Sequence, residues 1–191
     1  MPLDPRSLAL GHAGERLVVS FLNARGSGVI PSYDFTGSDG QKAPRLMFSA
    51  HGLVIPDLDV SKDGIRSWLE VKTYHGPARN EREDCLVHGI ERRLFDQYLG
   101  VEQATGTPVW IGVLEYLSGE FLIARLRSLK NVWPCMCPPC RNAAPRHCYS
   151  RGVQNGMYWP KRDMQLLHVF SDDDLVEIRT LATKTKATAA A

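Results

Sequence analysis

The chain lacks any segment suited to crossing a bilayer: none of its 191 residues falls in a run approaching the roughly 18 to 20 apolar residues that a membrane span needs. It also has no apolar h-region near residue 1, so export is not expected, and the reading is of a cytoplasmic, intracellular protein. Positive charge is not in excess: with a formal net charge of +2, any grip on nucleic acid must come from local clusters of Lys and Arg. Cysteines are few, and four of the five (Cys135, Cys137, Cys140 and Cys148) crowd into one short segment, which argues against the spread-out disulfide framework of a secreted domain. No internal repeat is evident. What remains is a chain with 43% hydrophobic residues, enough for one sizeable core and a small appended module.

Asp4-Pro5 offers an N-cap followed by a proline at the first helical position. Leu10, Ala13, Leu17, Val18, Phe21 and Leu22 then recur at helical spacing up to Gly26, which predicts an amphipathic helix. Residues 28–30 read as extended and residues 36–44 as a loop. Leu53 to Val60 and Ser67 to Tyr74 alternate as strands around Asp63-Gly64, a favoured pair for a two-residue type I′ turn. A helix is expected over residues 90–104 from Ile90, Leu94, Tyr98 and Val101, followed by a second hairpin over residues 108–126 that turns at Ser118-Gly119. A strand over residues 164–170, a Ser171/Asp174 capping box and a last helix over Leu175 to Leu181 complete the pattern.

The first hairpin brings chemistry together. With Asp63 and Gly64 as the loop, Lys62 faces Ile65, Asp59 faces Trp68, and Asp57 stands opposite Glu70. Cross-strand partners point to the same side of the sheet with Cβ atoms about 4.5 to 5.5 Å apart, so two carboxylates become neighbours. Like charges so placed repel unless a cation intervenes, and a hard divalent ion such as Mg²⁺, or Mn²⁺ in its place, prefers oxygen ligands of this kind. Lys72 projects from the same face, two residues beyond Glu70. A metal to polarise a phosphoryl oxygen and a cation to stabilise developing charge are what phosphodiester hydrolysis needs. The alternative is a solvated face bearing a surface ion pair. Asp59 shares the face and rivals Asp57 if the turn is longer.

Pro56-Asp57, followed after a hairpin by Glu70-Val71-Lys72, resembles the motif of the PD-(D/E)XK nuclease superfamily, over about residues 8–116. The resemblance implies a restriction endonuclease-like α/β core, in the order helix, three strands, helix, strand, with a mixed central sheet. It further implies a metal-dependent endonuclease acting on DNA. Glu15, on the face of the first helix shared by Val18 and Leu22, matches the acidic residue that such nucleases often add to the metal site. The carbonyl of Val71 is a further candidate ligand. Arg93 and Gln97, on the following helix, are candidates to face the site or the DNA.

The segment Cys135-x-Cys137-x2-Cys140-x7-Cys148, with His147 adjacent as an alternative ligand, reads as a metal knuckle in which ligation folds a core-poor stretch. Structural Zn²⁺ is favoured. An iron-sulfur cluster is the rival that the nuclease resemblance implies. Arg146 and Lys161, among other basic residues and aromatics around the cysteines, are candidates for nucleic-acid contact, with a self-contained knuckle as the alternative. The expected organisation is a nuclease core over residues 1–130, a Cys-rich insert over 131–163, a completing strand and helix over 164–182, and a disordered tail over 183–191. Oligomeric state is open, with a homodimer as one option. The competing functional classes are a non-catalytic zinc-containing nucleic-acid-binding protein on a nuclease-like scaffold, and a zinc-stabilised interaction module.

Overall fold

Helix α1, Pro5–Ala24, starts at the proline anticipated for its first turn and gives way to Gly26, whose φ of 79° terminates it. This is a computed structural model, and it describes residues 5–32, 44–47, 52–80, 83–134 and 156–189. The expected N-cap Asp4 and the ligand cluster Cys135, Cys137, Cys140, His147 and Cys148, together with Arg146, lie outside the described residues.

Strands β1 (Gly28–Pro31), β2 (Arg45–Leu46), β3 (Leu53–Val54), β4 (Leu58–Lys62), β5 (Ile65–Tyr74), β6 (Ala78–Asn80) and β7 (Cys85–Glu91) lead to helix α2 (Arg92–Thr105). After α2 come β8 (Val109–Glu115), β9 (Glu120–Arg125), β10 (Trp133–Pro134), β11 (Gly156–Pro160), β12 (Gln165–Val169) and helix α3 (Val176–Ala189). A six-stranded sheet runs in the order β1-β4-β5-β8-β9-β12, and only β5 and β8 pair in parallel, so the sheet is mixed. A four-stranded antiparallel sheet, β10-β11-β7-β6, stands beside it.

Alternation along β5 sorts the core into two layers. Leu69 and Val71 pack with Ala13 and Val18 of α1, with Phe121, and with Ile178 of α3. Trp68 faces the other way, into a cluster with Phe95, Tyr98 and Val101 of α2, Val113 of β8 and Trp159 of β11. The large sheet therefore has α1 and α3 on one face, with α2 and the small sheet on the other.

Four expectations need correction. The run Leu53 to Val60 is not one strand: it breaks between β3 and β4, where Pro56 cannot donate to a ladder. Residues 90 and 91, expected to open the helix, instead close strand β7 (Cys85–Glu91); Ile90 merely continues the helical spacing of Leu94 and Tyr98, and α2 begins at Arg92. The end of the presumed insert is not separate, because β11 pairs with β7 from Gly156 opposite Glu91 to Pro160 opposite Val87. The tail over residues 183–191, expected to be disordered, is helical up to Ala189, consistent with the strong helix propensity of Ala and Lys. The Ser171/Asp174 capping box forms as anticipated, with Ser171 N–H donating to Asp174 Oδ2 at 3.0 Å and Asp174 N–H to Ser171 Oγ at 3.3 Å.

Candidate active site

The Asp63-Gly64 turn governs what meets what. Both residues have positive φ, 51° and 77°, as a type I′ turn requires. Pairing then runs from Lys62 opposite Ile65, through Asp59 opposite Trp68, to Leu58 opposite Leu69. Ladder pairing ends there, and Asp57 occupies the bend just before β4, where its side chain reaches β5 at Val71. Ser32 N–H donates to the Asp57 carbonyl at 2.7 Å, and Val71 N–H donates to Asp57 Oδ2 at 2.9 Å.

Glu70 is 1% exposed and has both oxygens engaged. Its Oε1 lies 2.5 Å from Lys72 Nζ, and its Oε2 accepts the Tyr98 hydroxyl at 2.6 Å. The Lys72 side chain is 29% exposed, so the cluster reaches solvent there. Glu15, buried on α1, is close enough for its charge to act on Asp57. Its approach depends on the preceding residue: a Cβ at Gly14 would stand 1.9 Å from Thr73 Oγ1, so only glycine lets α1 lie this close to β5.

The electrostatics follow from this crowding. Burial, then the negative charge of Glu70, and to a smaller extent that of Glu15, push the Asp57 carboxyl well above the ordinary range, against the pull of Lys72 and the Val71 N–H. Burial disfavours the Lys72 ammonium, but Glu70 and Asp57 outweigh that and raise its pKa, so it is held charged. Tyr74, next along the same face, is pushed up to about 12 by burial and stays a neutral phenol, donating to the Gly89 carbonyl at 2.7 Å.

The structure thus brings together Asp57, Glu70, Lys72 and Glu15, and Val71 joins them through its N–H. Asp59 is excluded, because Arg66 clasps it with Nε at 2.9 Å and Nη2 at 2.7 Å. Gln97 uses its side-chain carbonyl to accept Val54 N–H at 3.1 Å, which ties β3 to α2 and gives it a structural task beside the one expected of it. Arg93 is exposed on α2. Lys161, expected to meet nucleic acid, is neutralised within the fold: its ammonium lies 2.7 Å from Glu115 Oε1 and also contacts Glu120. His88 Nε2 completes that second cluster, 2.8 Å from Glu115. Tyr98 was legible only as a core residue of the α2 stripe; the signal for more was a hydroxyl on an otherwise apolar face.

Among the described residues, no group of three or more His, Cys, Asp or Glu side chains is arranged to hold a metal ion. No helix among them is long and apolar enough to cross a membrane. The donor chemistry of Asp57, Glu70 and Glu15 nonetheless fits a hard divalent cation, since all three are carboxylates and the repulsion that raises Asp57 is what such a charge would relieve.

No protein-family model matches the chain, and no curated protein matches it. Among solved structures, the chain is similar to Hjc, a Holliday junction resolvase from the archaeal hyperthermophile Archaeoglobus fulgidus, with 11% identity and a TM-score of 0.48 over 82% of this chain and 91% of that one.

Proposed function

We propose that the protein is a metal-dependent nuclease that hydrolyses DNA phosphodiester bonds. The observation that carries this reading is the meeting of Asp57, Glu70 and Lys72 at one end of the first hairpin, two crowded carboxylates and a charged ammonium at a solvent-facing edge. A surface ion pair would not require burying Glu70, nor would it gather a third carboxylate from α1. DNA as the substrate rests on the likeness of Pro56-Asp57 and Glu70-Val71-Lys72 to the nuclease motif.

Asp57 and Glu70, together with Glu15, would hold Mg²⁺ or Mn²⁺. Such an ion, when bound, polarises a phosphoryl oxygen and acidifies water. The chain supplies the rest. Val71 N–H fixes the Asp57 carboxylate, Tyr98 and the sheet fix Glu70, and Lys72 presents positive charge where the phosphate would gain negative charge. Lys72 also positions the attacking water through its N–H donors. The Cys135, Cys137, Cys140 and Cys148 segment remains assigned to structural Zn²⁺, a proposal that elemental analysis and the colour of the purified protein will test against an iron-sulfur cluster.

The test is cleavage of linear, circular, single-stranded, flapped and four-way-junction DNA with Mg²⁺ or EDTA, comparing the native protein with Lys72→Ala. Cleavage should require the metal and fall about 10²-fold or more in the variant, the usual cost of removing one transition-state charge donor. Metal-independent cleavage, or full activity in Lys72→Ala, would refute the assignment.

A further inference from the structure

We propose that Tyr98 is a positioning residue that determines which oxygen of Glu70 meets the catalytic cation. The inference rests on the nuclease reading and extends it to a residue on a different element. Glu70 is fully enclosed, yet it is not held symmetrically. Oε2 accepts the Tyr98 hydroxyl at 2.6 Å, while Oε1 faces the cationic side of the cluster, 2.5 Å from Lys72 Nζ. A carboxylate on a two-methylene tether can exchange its two oxygens by turning about its last bond unless one is anchored, and an anchored Oε2 leaves Oε1 as the oxygen presented to a positive charge.

The setting of Tyr98 makes this anchor stiff. The residue is 2% exposed in the middle of α2, packed with Phe95, Val101, Trp68 and Ile111. Its ring therefore has little freedom to swing away, and the hydroxyl, short and directed at a carboxylate, belongs to the stronger class of hydrogen bonds. Packing alone would be met equally well by phenylalanine; the oxygen is what links α2 to the site. Such supporting partners of a ligand typically alter metal affinity or activity 10- to 100-fold when removed.

The experiment compares native protein, Tyr98→Phe and Thr105→Val. Thr105 bonds its own helix through Oγ1 to the Val101 carbonyl at 2.8 Å, so its variant controls for a loss of α2 stability remote from the carboxylates. Mn²⁺ binding is read by electron paramagnetic resonance of the free ion, alongside kcat and KM for the best DNA substrate and the thermal midpoint in EDTA. Tyr98→Phe should fold, bind Mn²⁺ about tenfold more weakly and lose about tenfold in kcat, with KM for DNA nearly unchanged, while Thr105→Val keeps native Mn²⁺ affinity. Native Mn²⁺ affinity and kcat in Tyr98→Phe would overturn the positioning role while leaving the nuclease reading intact. Equal losses in Thr105→Val would also overturn it, by showing that helix stability is responsible. A native protein that neither binds Mn²⁺ nor cleaves DNA would instead remove the nuclease reading, and this inference with it.

Discussion

Asp57 is held where an ionised carboxylate is uncomfortable. Its carboxyl is raised by burial and by Glu70, so the folded state binds the proton more tightly than the unfolded chain does. In metal-free protein this penalty is absent below the ordinary carboxylate range, near pH 4, and grows as pH rises from there toward the raised value. Asp57→Asn should therefore abolish metal-dependent cleavage and yet stabilise the metal-free protein at pH 7, by roughly 1 kcal/mol, in keeping with the usual conflict between a charged site and stability. Thermal melts in EDTA at pH 7 and pH 4 will check it: the gain should disappear at the lower pH, and a variant less stable than the native protein at pH 7 would contradict the account. The nearness of Asp57 to Glu70 could be read in the sequence because a two-residue turn leaves one register for β4 on β5, although the ladder itself stops at Leu58 opposite Leu69. The identity of the group holding Glu70 Oε2 could not, because Tyr98 is distant in sequence and its place on an apolar stripe explains its burial without its hydroxyl.

At the scale of elements, the site depends on how near α1 lies to β5. Gly14→Ala would drive a methyl into Thr73 Oγ1, with Thr73 Cβ and Cγ2 also at 3.1 and 3.2 Å, so the helix must retreat. A destabilisation of about 1 to 3 kcal/mol is expected, typical of an overpacked contact. Because Glu15 is the next residue, cleavage should fall by more than the stability loss alone explains. Thr73→Ala in the same chain should recover part of both, and strict additivity of the two substitutions in denaturant melts would rule out the contact. Elements with strong local signals were readable: α1 from its proline and spacing, the first hairpin from Asp-Gly, and the α3 entry from Ser171 and Asp174. Strand β7 was hidden because its pairing partners are remote in part, and because Ile90 falls in phase with the stripe of the helix that follows.

For the whole molecule, the second polar cluster joins the two sheets. Glu115 ends β8, His88 lies in β7, and Lys161 follows β11; all three meet at a carboxylate that is 2% exposed. Burial alone would raise the Glu115 carboxyl, but hydrogen bonds from His88 and Lys161, together with their charge, outweigh it and hold it at about 2. A depressed value contributes stability that is present above the unfolded carboxyl range, near 4.5, and is lost as pH falls toward 2. The contribution is on the order of 3 kcal/mol. Acid titration of unfolding should show this slope between about pH 4.5 and pH 2, and Glu115→Gln should flatten it while costing about 3 kcal/mol at pH 7; an unchanged slope would refute the linkage. The same junction has a consequence in time. Strand β7 gains its β6 neighbour at once, but its opposite edge is completed only by β11, whose Gly156 pairs with Glu91. During synthesis from the N-terminus, the Asp57–Glu70 hairpin and α2 leave the ribosome while that edge of β7 is still bare, so the nascent chain must carry an unfinished sheet until residue 160 has emerged.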